Sequence, residues 1–319
     1  MSVGLISDVV LILLVLSLAV WITIARTAYR AVVGFVAYGL LMTLLWVRLA
    51  ALDVAMTEAA LGSGLTGILL FAAAARLAPF EAAERARAPA PALRLLIGLL
   101  CTLVAAGLAA VVLWLPEPAP TLAPLVAEHL PPTGLRNPVT GVLLAHRAID
   151  TLLESMVLLP ALIGVWSVAA DADWSGRPGS LPRPPASDAL TLLARILPPF
   201  GVLVAIHLVW IGADEPGGKF QAAAVLAAMW VLVMMAGLQQ PPAVVSRGWR
   251  GLLVVGASLF IAIGIAGIWL ADAFLAYPKG LAKPLIIAIE VALTGSVAVA
   301  LALLLSGPPT RAHRCEAGR

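Results

Sequence analysis

The sequence predicts an all-α, polytopic transmembrane protein of about nine helical spans in blocks of three, two and four. Three observations predict it. Only 12% of its 319 residues are charged and 62% are apolar, against about a quarter charged in soluble domains. Apolar runs recur that are long enough to cross a hydrocarbon core of about 30 Å, which takes roughly 20 residues of helix. The runs are continuous, whereas barrel strands alternate over about ten residues and need a polar lumen face.

The first run, 3–25, is too long for a signal-peptide core and lacks a basic start and a small-residue cleavage site. It reads as a retained span, with the mature chain beginning at Met1. Further spans are expected at 31–50, 54–76, 94–115, 138–170, 189–211, 219–240, 250–274 and 284–306. In the fifth, Asn137 is placed to cap and Pro138 to occupy the first helical position. In the sixth, Pro198 and Pro199 are expected to kink the helix.

Two linkers, "PFEAAERARAPAPALR" (79–94) and "DADWSGRPGSLPRPPASD" (171–188), are rich in Pro, Arg and small residues and read as extended spacers between separately packed units. They divide the chain into a three-span unit at 1–79, a linker at 80–93, a two-span unit at 94–172, a linker at 173–188, a four-span unit at 189–306 and a tail at 307–319. No internal repeat is evident, which disfavours an inverted-repeat transporter.

Lys and Arg divide unevenly between the two sets of connections. Thirteen fall with Arg26, Arg76, Arg177, Arg247 and Arg311, and five (Arg48, Arg136, Lys219, Lys279 and Lys283) fall on the other side. By the positive-inside rule the amino terminus is expected outside and the carboxyl terminus in the cytoplasm. The basic residues sort by membrane side rather than clustering with aromatics, so nucleic acid is not an expected partner. Cys101 and Cys315 have no metal-ligand spacing, and neither a disulfide nor a metal or other cofactor is expected. With no nucleophile elbow, phosphate loop or paired His-Glu zinc motif, the chain does not read as an enzyme.

The candidate chemistry lies in acids held at membrane depth, where a charge costs about 2.5 to 3.5 kcal/mol on insertion scales. In "AHRAIDTLLE", His146, Asp150 and Glu154 recur every four residues and Arg147 precedes Asp150 by three, so all four share one broad helix face. Arg147 can offset one carboxylate and leave the other reason to hold a proton; a structural Arg-Asp pair is the alternative. Glu58 follows Asp53 in "LDVAMTEAALGSGLTGILL", with Gly62, Gly64 and Gly67 forming a face for close helix approach. Glu290 is a lone acid about two turns inside the ninth span. His207, beside Trp210, is a secondary candidate, and Arg195 and Asp272 are expected to snorkel. Glu58, Glu290 and His207 all fall in the outer half of the bilayer under this topology, as a half-channel open to the outside would require. The turn "GADEPGGKFQAAA" places Asp214 and Glu215 at an external mouth, with Lys219 expected to neutralise them in part.

Three of these motifs carry a resemblance. "LDVAMTEAALGSGLTGILL" resembles the three-span MbhD-like module at the end of the large subunit of Mrp-type multisubunit Na+/H+ antiporters, which is a separate subunit in membrane-bound hydrogenases. "NPVTGVLLAHRAIDTLLE" resembles the companion MbhE-like module. "GADEPGGKFQAAAVLAA" with "KPLIIAIEVALTGSVAVALALL" is similar to the four-span MnhB subunit of those antiporters. Departures are Lys219 for the third glycine of the family's turn, Ala222 and Ala223 for its final pair, and Leu52 for a proline before the first-block acid.

The resemblance implies a membrane subunit of a monovalent cation (Na+)/proton antiporter complex, with Glu58, Asp150 and Glu154 matching acids associated with ion translocation. It implies a bacterial inner membrane, partnership with large antiporter subunits and small membrane subunits, and Na+ and H+ as the ions handled. Two alternatives stay open: a membrane-arm subunit of a complex I-like or hydrogenase-type respiratory complex, and a non-conducting helical scaffold.

Overall fold

The computed structural model describes residues 3–86, 90–118, 120–179 and 187–310. Among them are eight helices long and apolar enough to cross a membrane and one shorter apolar helix of 17 residues, Lys219–Met235. The chain is a polytopic helical membrane protein.

α1 (Val3–Ile24) and α2 (Ala28–Arg48) pack against each other. Thr27 opens α2 by accepting from the Arg30 N–H at 3.3 Å, pairing one of the donors that every helix start leaves free. Arg48, the last residue of α2, pairs with Asp8 of α1 at 2.7 Å. α3 (Leu52–Thr57) runs through a π-helical segment, Glu58–Leu65, into α4 (Thr66–Ala86). Thr66 Oγ1 donates to the Leu61 carbonyl five residues back, at 2.7 Å, in keeping with the wider coil. α4 continues to Ala86 rather than ending near 76 because "EAAERA" consists of strong helix formers. It absorbs half of the expected linker, and 87–89 lie outside the described residues.

α5 (Pro91–Trp114) starts with proline at its first position and buries none of its residues. After the short α6 (Ala123–His129), α7 (Pro138–Gly141) passes into a π-helical segment, Val142–His146, that stops at Arg147. α8 (Ala148–Ser167) then resumes. The span expected as one helix over 138–170 is therefore interrupted. Thr151 Oγ1 donates to the Leu143 carbonyl at 2.6 Å and so satisfies a group that the break frees from the helical ladder.

The second linker is not a free spacer over its first half. β1 (Arg177–Pro178) pairs antiparallel with β2 (Pro309–Thr310). The Val244 N–H donates to the Gly176 carbonyl at 3.2 Å, and Arg177 donates to Gln240 at 2.9 Å. Residues 180–186 and the tail at 311–319 lie outside the described residues, with Cys315 among them.

α9 (Asp188–Ile211) is capped by Ser187 and stays helical through Pro198 and Pro199. α10 (Lys219–Met235), α11 (Arg247–Leu270) and α12 (Ala282–Ser306) complete the chain. α12 is the centre: 61% of its most apolar window is buried, chiefly against α10, α11 and α8. Small residues allow this closeness. A Cβ on Gly256 of α11 would meet Ser296 Oγ at 2.7 Å and the Leu293 Cα at 2.8 Å. Leu65 of the first π-helical segment packs with Ala227 and Val231 of α10 and Ala302 of α12. The first and third units thus share a core instead of packing separately, and α8 joins them through its contacts with α11 and α12.

Candidate functional site

Asn137 is the point where the three units meet. Its side-chain oxygen caps α7 by accepting from the Val139 N–H at 2.9 Å. Its amide donates to the Gly212 carbonyl at 3.2 Å, the Glu215 carbonyl at 3.0 Å and, more weakly, Asp53 Oδ1 at 3.4 Å. Thr140 Oγ1 donates to the same Gly212 carbonyl at 2.6 Å, and the Arg136 and Asn137 N–H groups both donate to Ala213. The reentrant turn between α9 and α10 is therefore clamped by the start of α7.

That turn presents the N-terminus of α10, where Gly218 offers no capping side chain. Two carboxylates from other helices substitute for the cap. Asp53 Oδ1 accepts from the Gly217 N–H at 3.0 Å, and Glu290 of α12 accepts from the Lys219 N–H. Acids are stabilised at this end of a helix by its positive dipole and by the orphan N–H groups themselves. Gly218 has φ 125°, open to glycine but strained for other residues, and a Cβ there would meet Glu290 Oε1 at 3.0 Å.

A cavity of about 190 Å³ lies at this junction, lined by Asp53 and Thr57, by Thr140 and Leu144, and by Gly218, Lys219, Gln221 and Glu290. Lys219 and Glu290 are only 3% and 4% exposed, yet Glu290 Oε2 has no hydrogen-bond partner. The Lys219 ammonium lies 4.6 Å from the Phe220 ring centroid and in the field of Glu290 and then Glu154. A second cavity of about 330 Å³, lined by Asp53, Asn137, Arg136, Asp214 and Glu215, adjoins the first, so Asp53 stands between the two. Gln221 Nε2 donates to Thr57 Oγ1 at 3.0 Å, closing one wall. Tyr277, in the loop before α12, donates to the Leu144 carbonyl at 2.9 Å, and burial pushes its phenol up.

Of the residues singled out in the sequence, the structure brings Asp53, Lys219 and Glu290 together. Glu58 is half-buried on the π-helical segment beside Gly39 and Gly62, outside the cavity. His146, Arg147, Asp150 and Glu154 are all exposed within this chain, with Arg147 and Asp150 paired at 2.6 Å. His207 is exposed on α9. Lys219 does not neutralise the external acids: Asp214 pairs with Lys283 at 2.7 Å and Glu215 with Arg136 at 4.0 Å. Lys219 lies in the cavity because it is the first residue of a helix whose start is turned inward. Thr57, Thr140 and Gln221 do not stand out in the sequence by themselves; "NPVT" and "KFQ" carry the signal, since polar groups flanking an inward turn need partners. Among the described residues no group of three or more His, Cys, Asp or Glu is placed to hold a metal ion.

Two family models match the chain: MbhD, the D subunit of MBH, over residues 13–79, and a domain related to the MnhB subunit of Na+/H+ antiporter over residues 189–307. No curated protein matches the sequence. Among solved structures, the Mrp complex from Dietzia sp. DQ12-45-1b is similar at TM-score 0.70 and 22% identity, over 92% of this chain and 34% of that one. The chain thus spans about a third of the length of the chain it matches there. The membrane-bound sulfane sulfur reductase, an archaeal respiratory membrane complex, is similar at TM-score 0.53 and 22% identity, over 66% of this chain and 97% of that one. Residues 13–79 thus match the MbhD family and residues 189–307 the MnhB-related family, so the chain carries an MbhD-type and an MnhB-type segment in that order.

Proposed function

We propose that this chain is a membrane subunit of a multisubunit monovalent cation/proton antiporter complex, and that Asp53 and Glu290 form part of an ion or proton path through it. The observation that carries this reading is the unpartnered Glu290 Oε2, buried beside Asp53, Lys219 and Gln221 in a largely apolar cavity where all three units meet. A carboxyl there exchanges a proton with cavity water more readily than one sealed in apolar packing, and intramembrane acids are functional by default. Asp53 links that cavity to the larger one beside Asp214 and Glu215, which extends the polar route toward the reentrant turn. The MnhB match supports the Na+/H+ assignment; Glu58, Asp150 and Glu154 lie outside this cavity, and their part in a path rests on the resemblance alone.

The exposed charges at the break before α8 and in its first two turns support assembly with other membrane subunits. His146, Arg147, Asp150 and Glu154 would face lipid at a cost of about 2.5 to 3.5 kcal/mol per charged residue, which a neighbouring subunit removes. The resemblance of "NPVTGVLLAHRAIDTLLE" alone assigns the 94–172 unit as the MbhE-like module. The complex sits in a bacterial inner membrane, with the amino terminus of this chain outside. A second reading, a membrane-arm subunit of a respiratory complex, is favoured by the MbhD match and by the likeness to the archaeal complex. Energised membrane vesicles carrying the assembled complex separate these readings. Glu290→Gln and Asp53→Asn, with assembly verified, should each lower Na+-dependent proton exchange tenfold or more. Unchanged exchange in both variants would leave only the scaffold role.

A further inference from the structure

The cavity between Asp53 and Glu290 holds a feature that a bare cation path does not need, a positive side chain of its own. We propose that the Lys219 ammonium is a tethered cation beside a monovalent metal-ion site in this cavity, so that the native chain admits protons to Glu290 and excludes Na+ from it. This inference rests on the reading of the cavity as part of an ion path.

The donor set is that of a hard cation site. Glu290 Oε2 is buried and unpartnered, and the residue is 4% exposed. Asp53 contributes a second carboxylate to the same cavity, and the hydroxyl of Thr57 and the amide of Gln221 line it beside them. Oxygen ligands of this kind suit alkali and alkaline-earth ions rather than softer metals. About 190 Å³ leaves room for an ion with several waters, each claiming about 30 Å³ of liquid.

Charge explains why the lysine prevents occupancy. Facing the site are Lys219 from α10, Glu290 from α12, Asp53 from α3 and, at longer range, Glu154 from α8. With the ammonium present, one of the two cavity carboxylates is already compensated, and the N-terminus of α10 adds a partial positive charge. A second full cation would be repelled by the first across a few ångströms of low-dielectric interior. A proton is not so excluded, since it forms a neutral carboxylic acid. Removing the ammonium leaves two carboxylates around a cavity large enough for water, which restores the demand for one cation.

Isothermal titration of Na+ into the purified full chain in detergent, with N-methyl-D-glucamine holding ionic strength constant, reads occupancy without transport. Lys219→Met should bind Na+ at least tenfold more tightly than the native chain, and adding Glu290→Gln should abolish the gain. Lys219→Gln, which keeps a polar head, carries the same expectation should the methionine variant unfold. On the native chain, titration in buffers of different ionisation heat should show a proton released with any Na+ that binds. The proposal is overturned if folded Lys219 variants bind Na+ no more tightly than the native chain, or if the native chain binds Na+ without proton release. Neither result touches the transport reading, which is judged by the exchange activity of Glu290→Gln.

Discussion

α5 and α12 are apolar helices of 24 and 25 residues with similar composition, yet most of α12 is buried and none of α5 is. The difference lies in their surfaces. α12 presents Ser296, Ala298, Ala300 and Ala302 to its neighbours and carries the buried Glu290. α5 carries no acid, and its Leu and Val side chains stand clear of the rest of the chain. Hydropathy is the same signal for both because lipid and protein interior are equally apolar solvents. Helix association in membranes follows close packing and polar contacts instead. α12 therefore organises this chain, whereas α5 is left for lipid or another subunit to cover.

Breaking the polar centre of α12 should have the largest effect. Glu290→Ala removes the side-chain acceptor of the Lys219 N–H and the carboxylate in whose field the buried ammonium lies, and a buried donor left unsatisfied costs about 1 to 3 kcal/mol, more for a charged group. Denaturant unfolding in detergent checks it, and Lys219→Met placed in the same chain should recover most of the loss. Asn137→Ala comes next: it leaves the Gly212 and Glu215 carbonyls and Asp53 without their shared donor, at about 1 to 3 kcal/mol. Gly256→Val, which forces α11 off Ser296 and Leu293, should cost about 1 to 3 kcal/mol of overpacking. The same assay on Leu103→Ala in α5 should register within about 0.5 kcal/mol, as for a surface position. A loss above about 2 kcal/mol there, the scale of a core truncation, would mean that α5 packs within this chain after all.

Tyr277 gives a smaller, pH-dependent contrast. Burial raises its phenol in the folded chain, so the neutral form is favoured by folding. Its contribution is fully present below the unfolded value of about 10 and is lost as pH rises toward the folded one. Melting temperatures followed above about pH 10 should fall less steeply in Tyr277→Phe than in the native chain.

The fold class was legible because continuous apolar runs admit only helices in a membrane, and the observed helices begin within a few residues of the expected spans. The interruption at Arg147 was not legible. It depends on Thr151 reaching the Leu143 carbonyl, a contact created only by the folded geometry. Asp53 and Glu290 stood out as acids in apolar surroundings, so charge alone marked them. Lys219 was misplaced to an external mouth because sequence order put it after an acidic turn, while the clamp by Asn137 and Thr140 that draws the turn inward spans more than 70 residues. His146, Arg147, Asp150 and Glu154 share a face as their spacing requires, but spacing cannot say whether that face meets this chain or another.

A density map of the assembled complex, fine enough to resolve ordered water, tests the central claim most directly. The stretch from Asp53 to Glu58 should stay docked on α10, with water filling the cavity between Asp53, Lys219 and Glu290 and continuing past Asp53 into the larger cavity. A dry, closed junction, or a first unit separated from α10, would contradict it.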